Sequence, residues 1–234
     1  MPQENLKGIY ISILNQGEIR VELAHLIAHL VAHTPYNIFY SYPADKPIES
    51  NRNKIVQSFL EKKEYEYLLM IDGDIVPPLN ILDLAVYQKD IIGAACFAYR
   101  QQALVPLVLE KQKDNPNLYT VMKVEGTEGL IEADAVGTGC IMIHRRVLEN
   151  KKLKHPFKNY YDKDGIRNFG LDLSFCKRAK DLGYKVYCHL DFTCSHWTPM
   201  DLKMIYKTMV QYSEKAGKKR GEVKMAKQTP KHNE

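Results

Sequence analysis

The chain has 234 residues, 45% hydrophobic, 26% charged and 10% aromatic. This composition supplies a substantial core, excludes wholesale disorder and fits one domain of ordinary size, with or without a small appendage. The net charge is +5, and Lys215, Lys218, Lys219, Arg220, Lys224, Lys227 and Lys231 against the single Glu222 account for the excess.

No apolar run approaches the roughly 20 residues of a membrane span. The start Met1-Pro2-Gln3-Glu4-Asn5 lacks a signal-peptide pattern, so the expected location is cytoplasmic. Five cysteines, odd in number and without a CxxC pair, suggest reduced, buried thiols and neither a disulfide framework nor a zinc site.

In chain order, residues 8–14 read as a buried strand and residues 18–32 as a helix, followed by a second strand at 37–42. Ser50 is a candidate N-cap for a helix through Lys62, and the third strand spans Tyr67 to Ile71. Pro77-Pro78 opens a helix over 79–87, and 91–98 reads as a fourth strand. From 106 to 136 three short strands suggest antiparallel hairpins, and the alternation then resumes. It gives a strand at 141–143, a short helix at 144–150, a helix at 171–182 stopped by Gly183, a strand at 184–194 and a final helix at 202–215. The pattern predicts an α/β fold with a mainly parallel sheet, helices on both faces and a small antiparallel addition. Residues 1–216 form the expected single domain and 217–234 a basic, flexible tail.

The strongest local signal is Tyr67-Leu68-Leu69-Met70-Ile71-Asp72-Gly73-Asp74, an apolar strand ending in two carboxylates separated by glycine. On extended backbone Asp72 and Asp74 point the same way, and Gly73 permits a bend that turns both toward one ion. Hard carboxylates at that edge suit Mg²⁺ or Mn²⁺ with a diphosphate, although Asp-Gly-Asp also makes a serviceable turn. Alternation along Val186, Cys188, Leu190, Phe192 and Cys194 puts His196 in phase with the buried face, as a structural residue or a third ligand to a metal held by Asp72 and Asp74. Asp172 lies in the first turn of its helix, where capping alone explains a carboxylate.

These segments, taken together, resemble the GT-A glycosyltransferases, specifically the family-2-like enzymes of bacteria and viruses. Asp72-Gly73-Asp74-Ile75-Val76-Pro77-Pro78 resembles their DxD element, and Ile92-Gly93 through Tyr99-Arg100 the following strand and donor-side loop. Gly137-Thr138-Gly139-Cys140 resembles their glycine-rich turn, Leu171-Asp172-Leu173-Ser174-Phe175-Cys176 their Glu-Asp-x-x-Phe-Cys segment, and Cys194-Ser195-His196-Trp197 the terminal histidine. Leu171 departs from the family's usual Glu; Asp172 keeps the aspartate.

The resemblance implies a metal-dependent glycosyltransferase that moves a sugar from a nucleotide-diphosphate donor to an acceptor hydroxyl. Mn²⁺ or Mg²⁺ would sit on Asp72, Asp74 and His196 and stabilise the departing diphosphate. Asp172 would be the base of an inverting reaction; in a retaining one it would contact sugar or acceptor. Arg52 and Arg100 are candidate diphosphate or sugar contacts, surface ion pairs being the simpler reading. The acceptor could be a lipid-linked glycan, a protein or a modified nucleic-acid base, and the basic tail offers a weak anionic contact. Two rivals are a nucleotidyltransferase, which would carry a glycine-rich loop where Asn15-Gln16-Gly17-Glu18 has one glycine, and a non-catalytic carbohydrate- or nucleic-acid-binding domain.

Overall fold

Strand β1 (Gly8–Leu14) is buried along its whole length because it is central, with a helix layer on each face. The computed structural model describes residues 8–100, 103–115, 118–161, 163–165, 167–199 and 201–226; the side chains of Arg100, 167–168 and 215–226 lie outside that description. It divides into two units, 1–197 and 198–234.

After β1 come α1 (Val21–His33), β2 (Ile38–Ser41), α2 (Ile48–Glu61), β3 (Tyr65–Asp72) and β4 (Ile75–Val76). A 3₁₀ segment (Ile81–Tyr87) leads to β5 (Ile91–Ala95), β6 (Phe97–Arg100), β7 (Ala103–Pro106), β8 (Val108–Lys111), β9 (Tyr119–Val121), β10 (Leu130–Ala133) and β11 (Ala135–Val136). Next are β12 (Cys140–His144), α3 (Arg145–Leu148), β13 (Tyr160–Tyr161), β14 (Arg167–Phe169), α4 (Leu171–Asp181), β15 (Val186–Thr193) and β16 (Ser195–His196). The second unit contains α5 (Leu202–Ala226).

Seven strands form the central sheet in the order β10-β15-β5-β12-β3-β1-β2. β2, β1, β3, β5 and β15 run one way, whereas β12 and β10 run against their neighbours. Period-two alternation sends Ile9, Ile11 and Ile13 to the α1 face, where they meet Leu23, Leu26, Ile27 and Leu30. Tyr10 and Leu14 point the other way, toward Ile55, Val56 and Phe59 of α2 and, across the same layer, Phe175 and Ala179 of α4. This is the expected mainly parallel α/β sheet with helices on both faces. The small antiparallel addition is present as β8, β9 and β11, with β6 and β7 as a separate hairpin.

Several local expectations change. Residues 81–87 form a 3₁₀ segment, not an α-helix: buried Ile81 and Leu84, like Leu82 and Ala85, stand three apart, the period that eclipses side chains in a 3₁₀ turn. Ser50 is not the N-cap of α2; the helix starts at Ile48 after Pro47. The strand expected over 91–98 breaks into β5 and β6 at Cys96, and α5 continues to Ala226 beyond the expected stop at Lys215. All five cysteines are buried and free, and burial pushes the Cys176 and Cys188 thiols up to about 12.

Candidate active site

Ligands in open α/β sheets bind beyond the carboxyl ends of the parallel strands, and β3 ends there in Asp72. A cavity of about 680 Å³ opens at that edge, lined from β1 and its following loop (Leu14, Asn15, Glu18, Arg20), from the entry to α2 (Asp45, Lys46, Asn51) and from Asp72, Gly73 and Asp74. Gly73 is needed for room: a Cβ there would stand 3.1 Å from the carbonyl oxygens of both Leu14 and Glu18. The Gly73 amide donates to Leu14 O at 2.7 Å and the Arg20 amide donates to Gly73 O at 2.9 Å, so the loop after β1 grips the turn between the two aspartates.

The two carboxylates part company. Arg52, reaching across from α2 with its side chain 3% exposed, donates from one terminal nitrogen to Asp72 Oδ1 at 2.8 Å and Oδ2 at 3.2 Å. Its other terminal nitrogen donates to Thr138 O at 3.3 Å. Burial raises the Asp72 carboxyl to about 6; Arg52 opposes the rise, and the charges of Asp172 and Asp74 add to it. Arg52 is thus a buried partner of Asp72, neither a surface ion pair nor a free cation facing the cavity.

Asp74 turns the other way, with its side chain 55% exposed. The short ladder of β4 with β16 pairs Ile75 with His196, and the Trp197 amide donates to Asp74 O at 2.9 Å, which brings His196 to the turn. His196 Nδ1 lies 2.6 Å from Phe97 O. A carbonyl only accepts, so the ring proton is on Nδ1. Nε2 then faces Asp74 Oδ2 at 3.5 Å. Two ligands on one divalent ion at about 2.1 Å each stand roughly 3.0–3.5 Å apart, so this pair fits a shared cation. Among the described residues no three His, Cys, Asp or Glu side chains form a ready metal cage. Asp74 and His196 converge; Asp72 stands behind them on Arg52.

Asp172 opens α4, whose N-cap is Gly170. Its Oδ1 accepts from Thr138 Oγ1 at 2.6 Å, and Thr138 is fully buried. The turn 137–139 therefore ties the β3 end to α4 through one residue: its carbonyl receives Arg52 and its hydroxyl holds Asp172. Arg100 ends β6, paired with Ala103, and its side chain lies outside the described residues. Asp134, another conceivable base, is engaged elsewhere. Burial pushes its carboxyl up, but the Lys111 amide at 2.7 Å and Lys180 at 2.5 Å outweigh that and hold it below the ordinary range.

Sequence reasoning missed Thr138, and it missed Arg20, whose guanidinium stacks 4.1 Å over the Trp197 ring while Arg20 lines the cavity. Thr138 carried a usable signal, a hydroxyl between two glycines; Arg20 carried none.

No protein-family model matches the chain, and no curated protein matches it. Solved structures do. The crystal structure of A197 from STIV aligns with a TM-score of 0.53 at 18% identity over 82% of this chain and 86% of that one. The crystal structure of GalNAc-T7 with UDP, GalNAc and Mn²⁺ aligns with a TM-score of 0.56 at 10% identity over 85% of this chain; the chain spans 45% of that protein. A glycosyltransferase involved in the glycosylation of the major capsid of PBCV-1 overlaps with a TM-score of only 0.36, at 17% identity over 62% of this chain and 64% of that one, and carries no argument. At these identities the likeness is one of fold, and the fold is GT-A-like.

Proposed function

We propose that the chain is a divalent-ion-dependent glycosyltransferase that moves a sugar from a nucleotide-diphosphate donor to an acceptor hydroxyl. The observation that carries this reading is the Asp74–His196 pair, 3.5 Å apart at the carboxyl edge of the sheet, with Asp74 in the wall of a 680 Å³ cavity. Asp74 and His196 would hold Mn²⁺ or Mg²⁺, with donor oxygens completing the shell. Bound there, the ion supplies Lewis-acid stabilisation of the charge that grows on the departing diphosphate.

The protein's own groups divide the remaining work. The loop after β1 and the entry to α2 form the walls that take the nucleoside. Arg52 fixes the Asp72 carboxylate, so that Asp72 faces the cavity as a positioned acceptor for a donor hydroxyl. Arg20, over the Trp197 ring and ion-paired with Glu22, brings a guanidinium to the cavity wall. Asp172, oriented by the Thr138 hydroxyl, takes the acceptor proton in an inverting reaction. Support from outside the chain is limited to fold: GalNAc-T7, on a similar scaffold, is described with UDP and Mn²⁺.

Calorimetry with UDP, GDP and dTDP, with and without Mn²⁺, tests the reading. Binding of one nucleotide that requires the ion supports it; ion-independent binding, or none, removes it.

A further inference from the structure

We propose that His29 and His33, on the outer side of α1, form a two-histidine site for a divalent transition-metal ion of the zinc type. The proposal does not depend on the glycosyltransferase reading, since it uses no residue of that site. Three of the chain's eight histidines lie in α1, at 25, 29 and 33, two successive steps of four residues. Residues four apart on a helix stand one above the other on one face. This row flanks the buried stripe of Leu23, Leu26, Ile27 and Leu30, which fixes the helix to the sheet. The row itself is open to solvent, His25 and His33 being exposed and His29 half-buried.

Within the row the His29 and His33 rings stack, with centroids 4.4 Å apart and planes inclined by 22°. His33 Nδ1 lies 2.9 Å from the carbonyl oxygen of His29. A carbonyl only accepts, so Nδ1 carries the proton and Nε2 of His33 keeps its lone pair for another partner. A ring fixed in this way by a backbone acceptor is the common state of a metal-bound imidazole. Two nitrogens bound side by side to one ion at about 2.0–2.1 Å stand roughly 3.0–3.4 Å apart, a spacing the stacked pose reaches by rotation of the two side chains. Helix capping explains the contact of His33 with His29 O, but not the ring of His29 stacked against it.

The donors select the ion. Two neutral imidazoles suit Zn²⁺, Ni²⁺ or Cu²⁺, whereas Mn²⁺ and Mg²⁺ prefer carboxylates and water. Among the described residues no three His, Cys, Asp or Glu side chains close a cage, so water completes the shell. The pair is also remote from Asp74. Asp72 stands beside Leu14 at the carboxyl end of β1, whereas His33 ends α1 shortly before β2, whose Ile38 pairs with Ile9 near the start of β1. In the last turn of α1 the negative end of the helix dipole favours a cation.

The test is calorimetric titration of the full chain with Zn²⁺ in an Asp74→Ala, His196→Ala background, which removes the other candidate ligands. Expected is one ion bound per chain and a melting temperature that rises with Zn²⁺ concentration. His29→Gln and His33→Gln should each weaken binding by about tenfold or more, the loss that even an outer partner of a metal ligand produces. Each should also abolish the rise in melting temperature, with the circular-dichroism spectrum unchanged, and His25→Gln should leave both intact. No Zn²⁺ bound, binding that survives both substitutions, an equal loss in His25→Gln, or equal affinity for Mn²⁺ overturns the proposal. So does a His33→Gln variant with a lowered melting temperature and unchanged Zn²⁺ affinity, the signature of a helix cap.

Discussion

His196 Nε2 lies 3.5 Å from Asp74 Oδ2, and the ring is held in that pose from behind by the carbonyl of Phe97. A histidine whose Nδ1–H is committed to a backbone acceptor presents a fixed lone pair forward, the arrangement found behind metal-bound imidazoles. We therefore expect Asp74→Ala to lower Mn²⁺-dependent nucleotide affinity by about 100-fold or more, and His196→Ala by about tenfold. Both should leave the melting temperature nearly unchanged, because neither side chain belongs to the core. Wild-type ion titrations by calorimetry in both variants would remove the assignment.

Arg52→Met addresses stability. Taking away a guanidinium that is 3% exposed leaves the Asp72 carboxylate and the Thr138 carbonyl without their donor. Breaking a buried pair from one side costs roughly 3 kcal/mol. Urea unfolding should show that loss, with an unchanged m-value. A loss below about 0.5 kcal/mol would mean that Arg52 acts as a surface side chain and not as the brace of Asp72.

Asp172→Asn separates chemistry from architecture. The amide oxygen still accepts from Thr138 Oγ1, so stability should fall by no more than about 1 kcal/mol. Turnover, followed as nucleoside diphosphate released in the presence of acceptor, should fall by roughly 10²-fold or more. An active enzyme with a lowered melting temperature would make Asp172 an architectural partner of Thr138 and leave the base to be found elsewhere than at Asp134, which is committed to Lys180.

His189 gives a pH test remote from Asp74. It is 4% exposed, hydrogen-bonded through Nε2 to the Tyr87 hydroxyl at 2.7 Å and packed against Phe192, and burial lowers its pKa below the ordinary 6.5. The unfolded chain therefore binds this proton more readily than the folded one. The stability contributed by neutral His189 is complete above about pH 6.5 and is lost as pH falls below it. His189→Gln should flatten that part of the unfolding free-energy profile; a profile identical to wild type between pH 5 and 7 would show that His189 is not its source.

What was legible in the sequence had local periodicity. The apolar strand that stops at Asp72 and the spacing along Leu171, Phe175 and Ala179 each report which face is buried. The alternation from Val186 does not carry through to His196, because the register shifts between His189 and Thr193, and His196 is exposed on the separate strand β16. The partners of those residues were not legible, because nothing in local spacing links Arg52 to Asp72 or Thr138 to Asp172. The same reason hid the division of labour between the aspartates. Extended backbone would send both side chains one way, but the turn at Gly73, held by the Leu14 and Arg20 backbones, sends Asp74 to His196 and leaves Asp72 with Arg52. The antiparallel course of β12 also escaped notice, since a buried strand reads as an apolar run whichever way it points.

That course of β12 bears on the order of folding. β1, β2 and β3 can assemble with α1 and α2 from neighbouring segments, but the contact of Arg52 with Thr138 closes 86 residues of chain, and that of Thr138 with Asp172 a further 34. Loop closures of this length are entropically late events. A nascent chain that has folded its first three strands has therefore formed that part of the sheet while Asp72 still waits for the turn that steadies it. Binding competence should arrive as the last kinetic phase, after most of the secondary structure has formed.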